Sequence, residues 1–320
     1  MKNLKIFTGN CHRPLAEEIC KYLSIPLEPA KVKQFPDREV QVEIGTSVRG
    51  DDVFIIQPTP APAENWFELF LMVDALVRSS AGRITAVLTY CGYTCQDRKD
   101  KPHVPISIDV MATIMSAIGV KRVILFEIHN ETTIGFFHPC LVDHLYSTPV
   151  LIPVCQELEI NEKDWVIVSS DLGRAERTRG FARRLSPNFP VASIDKRRED
   201  NGRVKVMNIV GDIKGKNLLL FDDMIRTAAT LIEDIEALKE KGAKKIISCV
   251  THLNLTPGAV ERIIASDIEL VVATNSLPFS PPIGHEKRFR IVSVASLIAQ
   301  AIQRVHENKS VTELYVQIPS

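Results

Sequence analysis

The chain predicts an α/β protein of two tandem domains, each a mainly parallel sheet flanked by helices. Three observations carry this. Its 320 residues suit two domains. Strand-like apolar runs alternate with helical patterns from end to end, as βα units do. The same rhythm also occurs twice. Asp74-Ala75-Leu76 leads to Arg83-Ile84-Thr85-Ala86-Val87, and Glu236-Ala237-Leu238 leads to Lys245-Ile246-Ile247. Ala75 to Ile84 and Ala237 to Ile246 are both nine residues apart. Upstream, Gly50-Asp51-Asp52-Val53-Phe54-Ile55-Ile56 parallels Gly215-Lys216-Asn217-Leu218-Leu219-Leu220. Two diverged copies of one domain account for this; so does the helix–glycine–strand rhythm common to α/β folds.

In chain order, strands are expected at 4–8, 39–44, 53–57, 84–89, 122–127, 165–170, 191–194, 204–209, 217–221, 245–250, 269–273 and 290–293. Helices are expected at 13–24, 65–79, 107–118, 148–159, 174–185, 228–241, 257–265 and 294–306. Runs such as Val53-Phe54-Ile55-Ile56 show no period-2 alternation, which fits strands covered on both faces. The domain boundary falls near Tyr146–Pro149. It gives a first domain at 1–146, a second at 147–305, and a tail at 306–320 that forms a strand or packs, either back on the chain or on a neighbour.

Composition narrows the class. Hydrophobic residues make up 45%, and Lys plus Arg equals Asp plus Glu at 39 each. A net charge of zero argues against general nucleic-acid or membrane-surface binding. Seven cysteines are scattered with no C-x-x-C pair, as expected for reduced thiols in the cytoplasm. Neither a signal peptide nor a membrane span of about 18 apolar residues is expected.

The stretch Leu218-Leu219-Leu220-Phe221-Asp222-Asp223-Met224-Ile225-Arg226-Thr227-Ala228-Ala229-Thr230 carries the clearest chemistry. An apolar strand ends in two carboxylates, and small or hydroxylated residues then open a helix. Ligands of open α/β sheets bind beyond the carboxyl ends of strands. A helix N-terminus there suits a phosphate, and the carboxylates suit ribose hydroxyls or a metal. An Asp-rich cap on a βα turn would look the same. The first copy has Gln57-Pro58-Thr59-Pro60 at the matching place and no acid.

Four other segments invite two readings each. Gly92-Tyr93-Thr94-Cys95-Gln96-Asp97-Arg98-Lys99-Asp100-Lys101 is either a polyphosphate-binding loop or a solvated one. Phe126-Glu127-Ile128-His129 ends a strand with a histidine that is structural or a ligand. Ser169-Ser170-Asp171-Leu172-Gly173-Arg174 puts an acid and a glycine at a strand-to-helix turn, suited to a metal or a sugar. Ile194-Asp195-Lys196-Arg197-Arg198-Glu199-Asp200-Asn201-Gly202 is a charged surface hairpin or a cationic lid.

Taken together, these segments resemble the ribose-phosphate diphosphokinases, and residues 222–230 are similar to the phosphoribosyl-diphosphate loop of type I phosphoribosyltransferases. The resemblance runs from Lys5 to about Leu314. It implies two phosphoribosyltransferase-like domains with the active site between them. It also implies transfer of the diphosphoryl group of Mg²⁺–ATP to O1 of ribose 5-phosphate, giving AMP and phosphoribosyl diphosphate. Lys196 and Arg198 match the family's catalytic lid cations. Phe35, Asp37 and Glu39, in Lys33-Gln34-Phe35-Pro36-Asp37-Arg38-Glu39, match residues that hold adenine in a neighbouring subunit's site. Gln96, Asp97, Arg98, Lys99 and His129 match ATP-binding positions. His129 and Asp171 would manage the metal. Asp222 and Asp223 would hold the ribose hydroxyls; Thr227, Ala228, Ala229 and Thr230 would bind the 5-phosphate. The family further implies Mg²⁺, activation by inorganic phosphate, and dimers assembling to a hexamer.

Five departures stand out. Cys95 replaces an Arg, Glu127 an Asp, Arg174 a Gly, Arg226 an Asp and Ala229 a Gly. His144 also replaces an Asn, beside Val142, Asp143, Leu145 and Tyr146, which match the family. They motivate a second reading: a catalytically weak paralogue that forms a hetero-oligomer with an active synthetase and regulates it. Altered phosphosugar specificity is a third.

Overall fold

The computed structural model describes residues 3–198 and 204–316. The chain divides into two compact units. The first comprises residues up to Tyr146 together with Ser276–Pro278 and Val294–Leu314. The second comprises Ser147–Asn275, Phe279–Ser293 and, at the C-terminal end, Tyr315 and Val316.

The first unit runs β1 (Leu4–Thr8), α1 (Arg13–Leu23), β2 (Ala30–Gln34), β3 (Val40–Ile44), β4 (Asp52–Ile56), α2 (Glu64–Arg78), β5 (Arg83–Leu88), α3 (Ser107–Ala117), β6 (Arg122–Phe126) and β7 (Leu141–Leu145). Five strands form a parallel sheet in the order β1-β4-β5-β6-β7. Every residue of β4 is buried, as its unbroken apolar run requires of a strand covered on both faces. Trp66, Leu69, Met72, Val73 and Leu76 repeat at helical spacing on α2 and form its buried stripe.

The sequence reading misses two strands here. β2 pairs antiparallel with β3 as a separate ribbon, and its alternating Lys31, Lys33 and Gln34 read as a loop. β7 is the sheet edge, where Asp143 and His144 break the apolar pattern.

The second unit runs α4 (Thr148–Glu157), β8 (Trp165–Ser169), α5 (Ala175–Leu185), β9 (Val191–Arg198), β10 (Val204–Val210), β11 (Asn217–Ile225), α6 (Ala229–Glu240), β12 (Ile246–Leu253), α7 (Ala259–Ala265), β13 (Leu270–Thr274) and β14 (Phe289–Val292). Its seven strands lie in the order β10-β9-β8-β11-β12-β13-β14. All neighbours are parallel except the β9–β10 hairpin. The chain leaves β8 toward β9 on one side and returns to β11 on the other, so the carboxyl ends of β8 and β11 flank a switch point.

Three expectations are corrected. The strand predicted at 217–221 extends through Ile225, because β12 continues to pair with it at Asp222, Met224 and Ile225. Its pairing with β8 stops at Phe221, so both carboxylates lie within β11 yet beyond the end of β8. The strand predicted at 191–194 runs on to Arg198 by pairing with β10. Asp195, Lys196, Arg197 and Arg198 thus lie in the first strand of an edge hairpin; Glu199, Asp200, Asn201 and Gly202 lie outside the described residues.

The third correction concerns the domain limits. The second domain, read as 147–305, includes a final helix that the structure assigns to the first unit. Helix α8 (Ala295–His306) buries Leu297, Ile298, Ala301, Ile302 and Val305, and it packs beside α1. Asp52, at the start of β4, accepts from Arg83 Nε at 2.6 Å and lies 2.7 Å from His306 Nδ1. Arg83 Nη2 also donates to the Val305 carbonyl at 3.0 Å. An amphipathic helix shows that it needs an apolar partner, but not which one. The expected tail contains α9 (Glu313–Val316), a single turn; residues 317–320 lie outside the described residues.

Candidate functional site

In the second unit, three carboxylates meet at the switch point. Asp171 follows β8 and caps the next turn, its Oδ1 accepting from the Arg174 N–H at 2.9 Å. A Cβ at Gly173 would sit 3.1 Å from that same oxygen, so the turn favours a residue without one. Asp222 and Asp223 extend from β11, and the Asp223 N–H donates to Asp222 Oδ1 at 2.8 Å.

Arg174 joins these groups. Its Nη1 donates to Oδ1 of both Asp222 and Asp223, and its Nε lies 3.4 Å from Asp171 Oδ2. Burial works against the guanidinium's charge, but Asp222, Asp223 and Asp171 outweigh it and raise its pKa. A second arginine, Arg177, is lowered by burial, with Asp223 and Asp222 opposing that shift. Desolvation pushes Asp222 up to about 6 against the pull of Arg174, with Asp223 adding to the rise.

The carboxylate oxygens are the right donors for a hard divalent cation. With Arg174 in place, however, the guanidinium already holds the facing oxygens of Asp222 and Asp223. Among the described residues no group of three or more His, Cys, Asp or Glu is arranged to hold a metal. A resident divalent ion does not fit this cluster as built.

Lys196 does not point to that cluster. Its Nζ is 2.7 Å from both carboxylate oxygens of Asp234, on α6. Burial pushes Asp234 up to about 7, although Lys196 pulls the other way. Sequence reasoning overlooked Asp234. The available signal was its place beside Ile235 and one turn before Leu238, on the buried face of α6. Arg198 lies in β9, but its side chain is outside the described residues.

The turn after β11 has the form of an anion site. Ala228 takes a left-handed conformation (φ 61°) at the N-cap of α6, and no side chain caps that helix. First-turn N–H groups of a helix lack intrahelical acceptors, and the helix dipole adds positive charge there. Thr227 Oγ1 accepts from the Ala229 N–H at 3.3 Å. The loop is braced by Thr256, whose N–H donates to the Arg226 carbonyl at 3.0 Å, and by Arg262, which donates to the Thr227 carbonyl at 2.7 Å. Arg226, Thr227, Ala229 and Thr230 are exposed and Ala228 is buried. The helix starts at Ala229, not 228 as expected.

The first unit gathers the loop after β5. Gly92 is required there, since a Cβ would lie 2.2 Å from the Thr59 carbonyl; its N–H donates to Thr59 Oγ1 at 3.0 Å. Gln96 Oε1 accepts from Ser107 at 2.6 Å, and Asp97 Oδ2 accepts from Asn130 Nδ2 at 2.6 Å. These bonds anchor the loop and leave Arg98 and Lys99 exposed. After β6, Glu127 is buried with φ 46°, and His129 is half-buried. Burial pushes neighbouring His144 down to about 4. Phe35, Asp37 and Glu39 sit at the exposed tip of the β2–β3 ribbon, closed by the Phe35 N–H bonding to the Glu39 carbonyl at 2.8 Å.

Comparison with known proteins identifies the family. The N-terminal domain of ribose phosphate pyrophosphokinase matches residues 4–119, and the phosphoribosyl synthetase-associated domain matches residues 201–316. The chain is 42% identical to the ribose-phosphate pyrophosphokinase of Thermosipho africanus over 98% of both chains. It is 44% identical to that of Clostridium perfringens over 98% of both chains. The crystal structure of phosphoribosylpyrophosphate synthetase from Mycobacterium smegmatis superposes with a TM-score of 0.88 at 34% identity, covering 96% of this chain and all (100%) of that one. The chain belongs to the ribose-phosphate pyrophosphokinase family.

Proposed function

We propose that the chain is an enzyme that transfers the diphosphoryl group of Mg²⁺–ATP to O1 of ribose 5-phosphate. The observation that carries this is the order of groups at the end of β11: two carboxylates, then at once an exposed anion-binding turn. A sugar bearing hydroxyls at one end and a phosphate at the other matches that order. Thr227 to Thr230 take the 5-phosphate through N–H groups and hydroxyls, and Asp222 and Asp223 accept from the ribose hydroxyls.

Arg98 and Lys99 bind the polyphosphate of ATP, and Gln96 and Asp97 shape their loop. Phe35, Asp37 and Glu39 serve adenine from a ribbon tip, in the site of a second subunit. The O1 hydroxyl attacks the β-phosphorus, the bridge between the α- and β-phosphates breaks, AMP departs, and the O1 proton passes to solvent. Negative charge shifts among phosphate oxygens throughout, so positioned cations do most of the work. Lys196 and Arg198 supply them from the β9–β10 hairpin. His129 and Asp171 would be the residues that meet Mg²⁺ carried by ATP, and the ion would offset phosphate charge.

The relatives carry the enzyme's name over the full chain, which does not favour a weak regulatory subunit. Among the described residues no helix is long and apolar enough to cross a membrane. We place the enzyme in the cytoplasm as a homo-oligomer, dimers building a hexamer, with inorganic phosphate as activator. The test is AMP release from ATP at saturating ribose 5-phosphate, Mg²⁺ and phosphate. Turnover that is lost in Lys196→Ala supports the reading; its absence from the purified chain overturns it.

A further inference from the structure

We propose that Arg174 is a built-in cation that closes the ribose-facing carboxylates, so that hydroxyls or a divalent ion reach Asp222 and Asp223 only after the guanidinium leaves. This rests on the reading of those two residues as ribose-binding.

Geometry states the conflict. One nitrogen, Nη1, donates to Oδ1 of both aspartates, and Asp222 Oδ1 also accepts from the Asp223 N–H. A ribose hydroxyl binds a carboxylate by donating to it, and here Oδ1 of both aspartates already accepts from a partly buried cation that stands on that side. A guanidinium only donates, so it cannot relay such a bond.

Charge states it again. Asp171, Asp222 and Asp223 carry three negative charges when ionised, and Arg174 and Arg177 return two positive charges. The set is left at minus one. Without Arg174 it stands at minus two, the charge a divalent ion neutralises.

The guanidinium also has a way out. The backbone of Arg174 is pinned by the Asp171 cap. Its side chain is 22% exposed, so the head group is not sealed from solvent. The arrangement makes entry of the sugar a displacement, paid in broken ion pairs, and lowers the affinity of the resting chain.

Mn²⁺ bound to the nucleotide-free full chain, followed by electron paramagnetic resonance, tests this without turnover. Arg174→Gly and Arg174→Gln are each expected to gain one Mn²⁺ per chain, bound at least tenfold more tightly than by the unaltered protein. Asp223→Asn added to Arg174→Gln should remove it, and Arg174→Lys should not gain it. Calorimetry should show ribose 5-phosphate binding at least tenfold tighter to Arg174→Gln. If Arg174→Gly fails to fold, Arg174→Gln decides alone. No gain of the ion, a gain that survives Asp223→Asn, or an equal gain in Arg174→Lys overturns the inference. AMP release by the unaltered chain is scored separately. A chain that turns over while Arg174→Gln gains no ion keeps the activity and loses the gate; an inactive chain whose variant gains the ion does the reverse.

Discussion

Lys196 and Asp234 form a nearly dry ion pair, the lysine nitrogen 2.7 Å from both carboxylate oxygens and the two side chains 10% and 2% exposed. The lysine proposed for catalysis therefore rests on the helix that follows the phosphate turn. Its partner is a residue outside the motifs by which the chain resembles its family.

A pH dependence follows. Burial raises Asp234 from 3.8 to about 7. Through that interval the folded chain keeps a proton that the unfolded chain has released, so this group's contribution to stability falls as pH rises from about 4 to about 7. Asp234→Asn cannot titrate. Thermal melts of both proteins at pH 5 and pH 8 should show the comparison shifting toward Asp234→Asn at the higher pH. A constant difference in Tm would sink the assignment.

Removing the lysine should slow the reaction, and it also leaves the buried Asp234 carboxyl without its cation. Lys196→Ala is expected to lower kcat by about 10²–10³-fold, the scale of losing one charge-stabilising donor. Steady-state AMP release measures it, and a rise in KM with kcat unchanged would mark Lys196 as a binding group instead.

Arg226 and Ala229 stand exposed in the phosphate turn. If they impede the ligand, Arg226→Asp with Ala229→Gly should raise turnover at least tenfold, about 1.4 kcal/mol of barrier. Unchanged or slower turnover in the double variant would mean that Arg226 contributes a phosphate contact.

Asp52 is the hub of the first unit's closing contact, holding Arg83 and His306 at once. Asp52→Ala leaves a partly buried guanidinium without its carboxylate. Urea unfolding should show a loss of about 3–5 kcal/mol, the usual cost of breaking one side of a buried pair. A loss under about 1 kcal/mol would place this contact with ordinary surface pairs.

The βα rhythm was legible because an unbroken run such as Val53 to Ile56 has no polar face to confuse its burial. The acidic pair and the turn after it were legible because local chemistry specifies them. Three things were not. β2 alternates polar and apolar residues as a loop can, and β7 sits at a sheet edge where Asp143 and His144 interrupt its apolar run. The partner of Lys196 depends on which face of α6 looks inward. The grip of Arg174 on Asp222 and Asp223 spans 48 and 49 residues of sequence and exists only once β8 and β11 lie side by side.

Helix α8 gives the first unit an unusual history during synthesis. The ribosome has already emitted nearly all of the second unit, through Ser293, when Ala295 appears. Until then α1 lacks the helix that packs beside it, and Asp52 lacks His306. The N-terminal unit begins first, yet its last helix comes after nearly all of the second unit has been made. A chain truncated just before residue 295 loses the closing helix of the N-terminal unit, which reverses the usual order in which N-terminal domains complete themselves first.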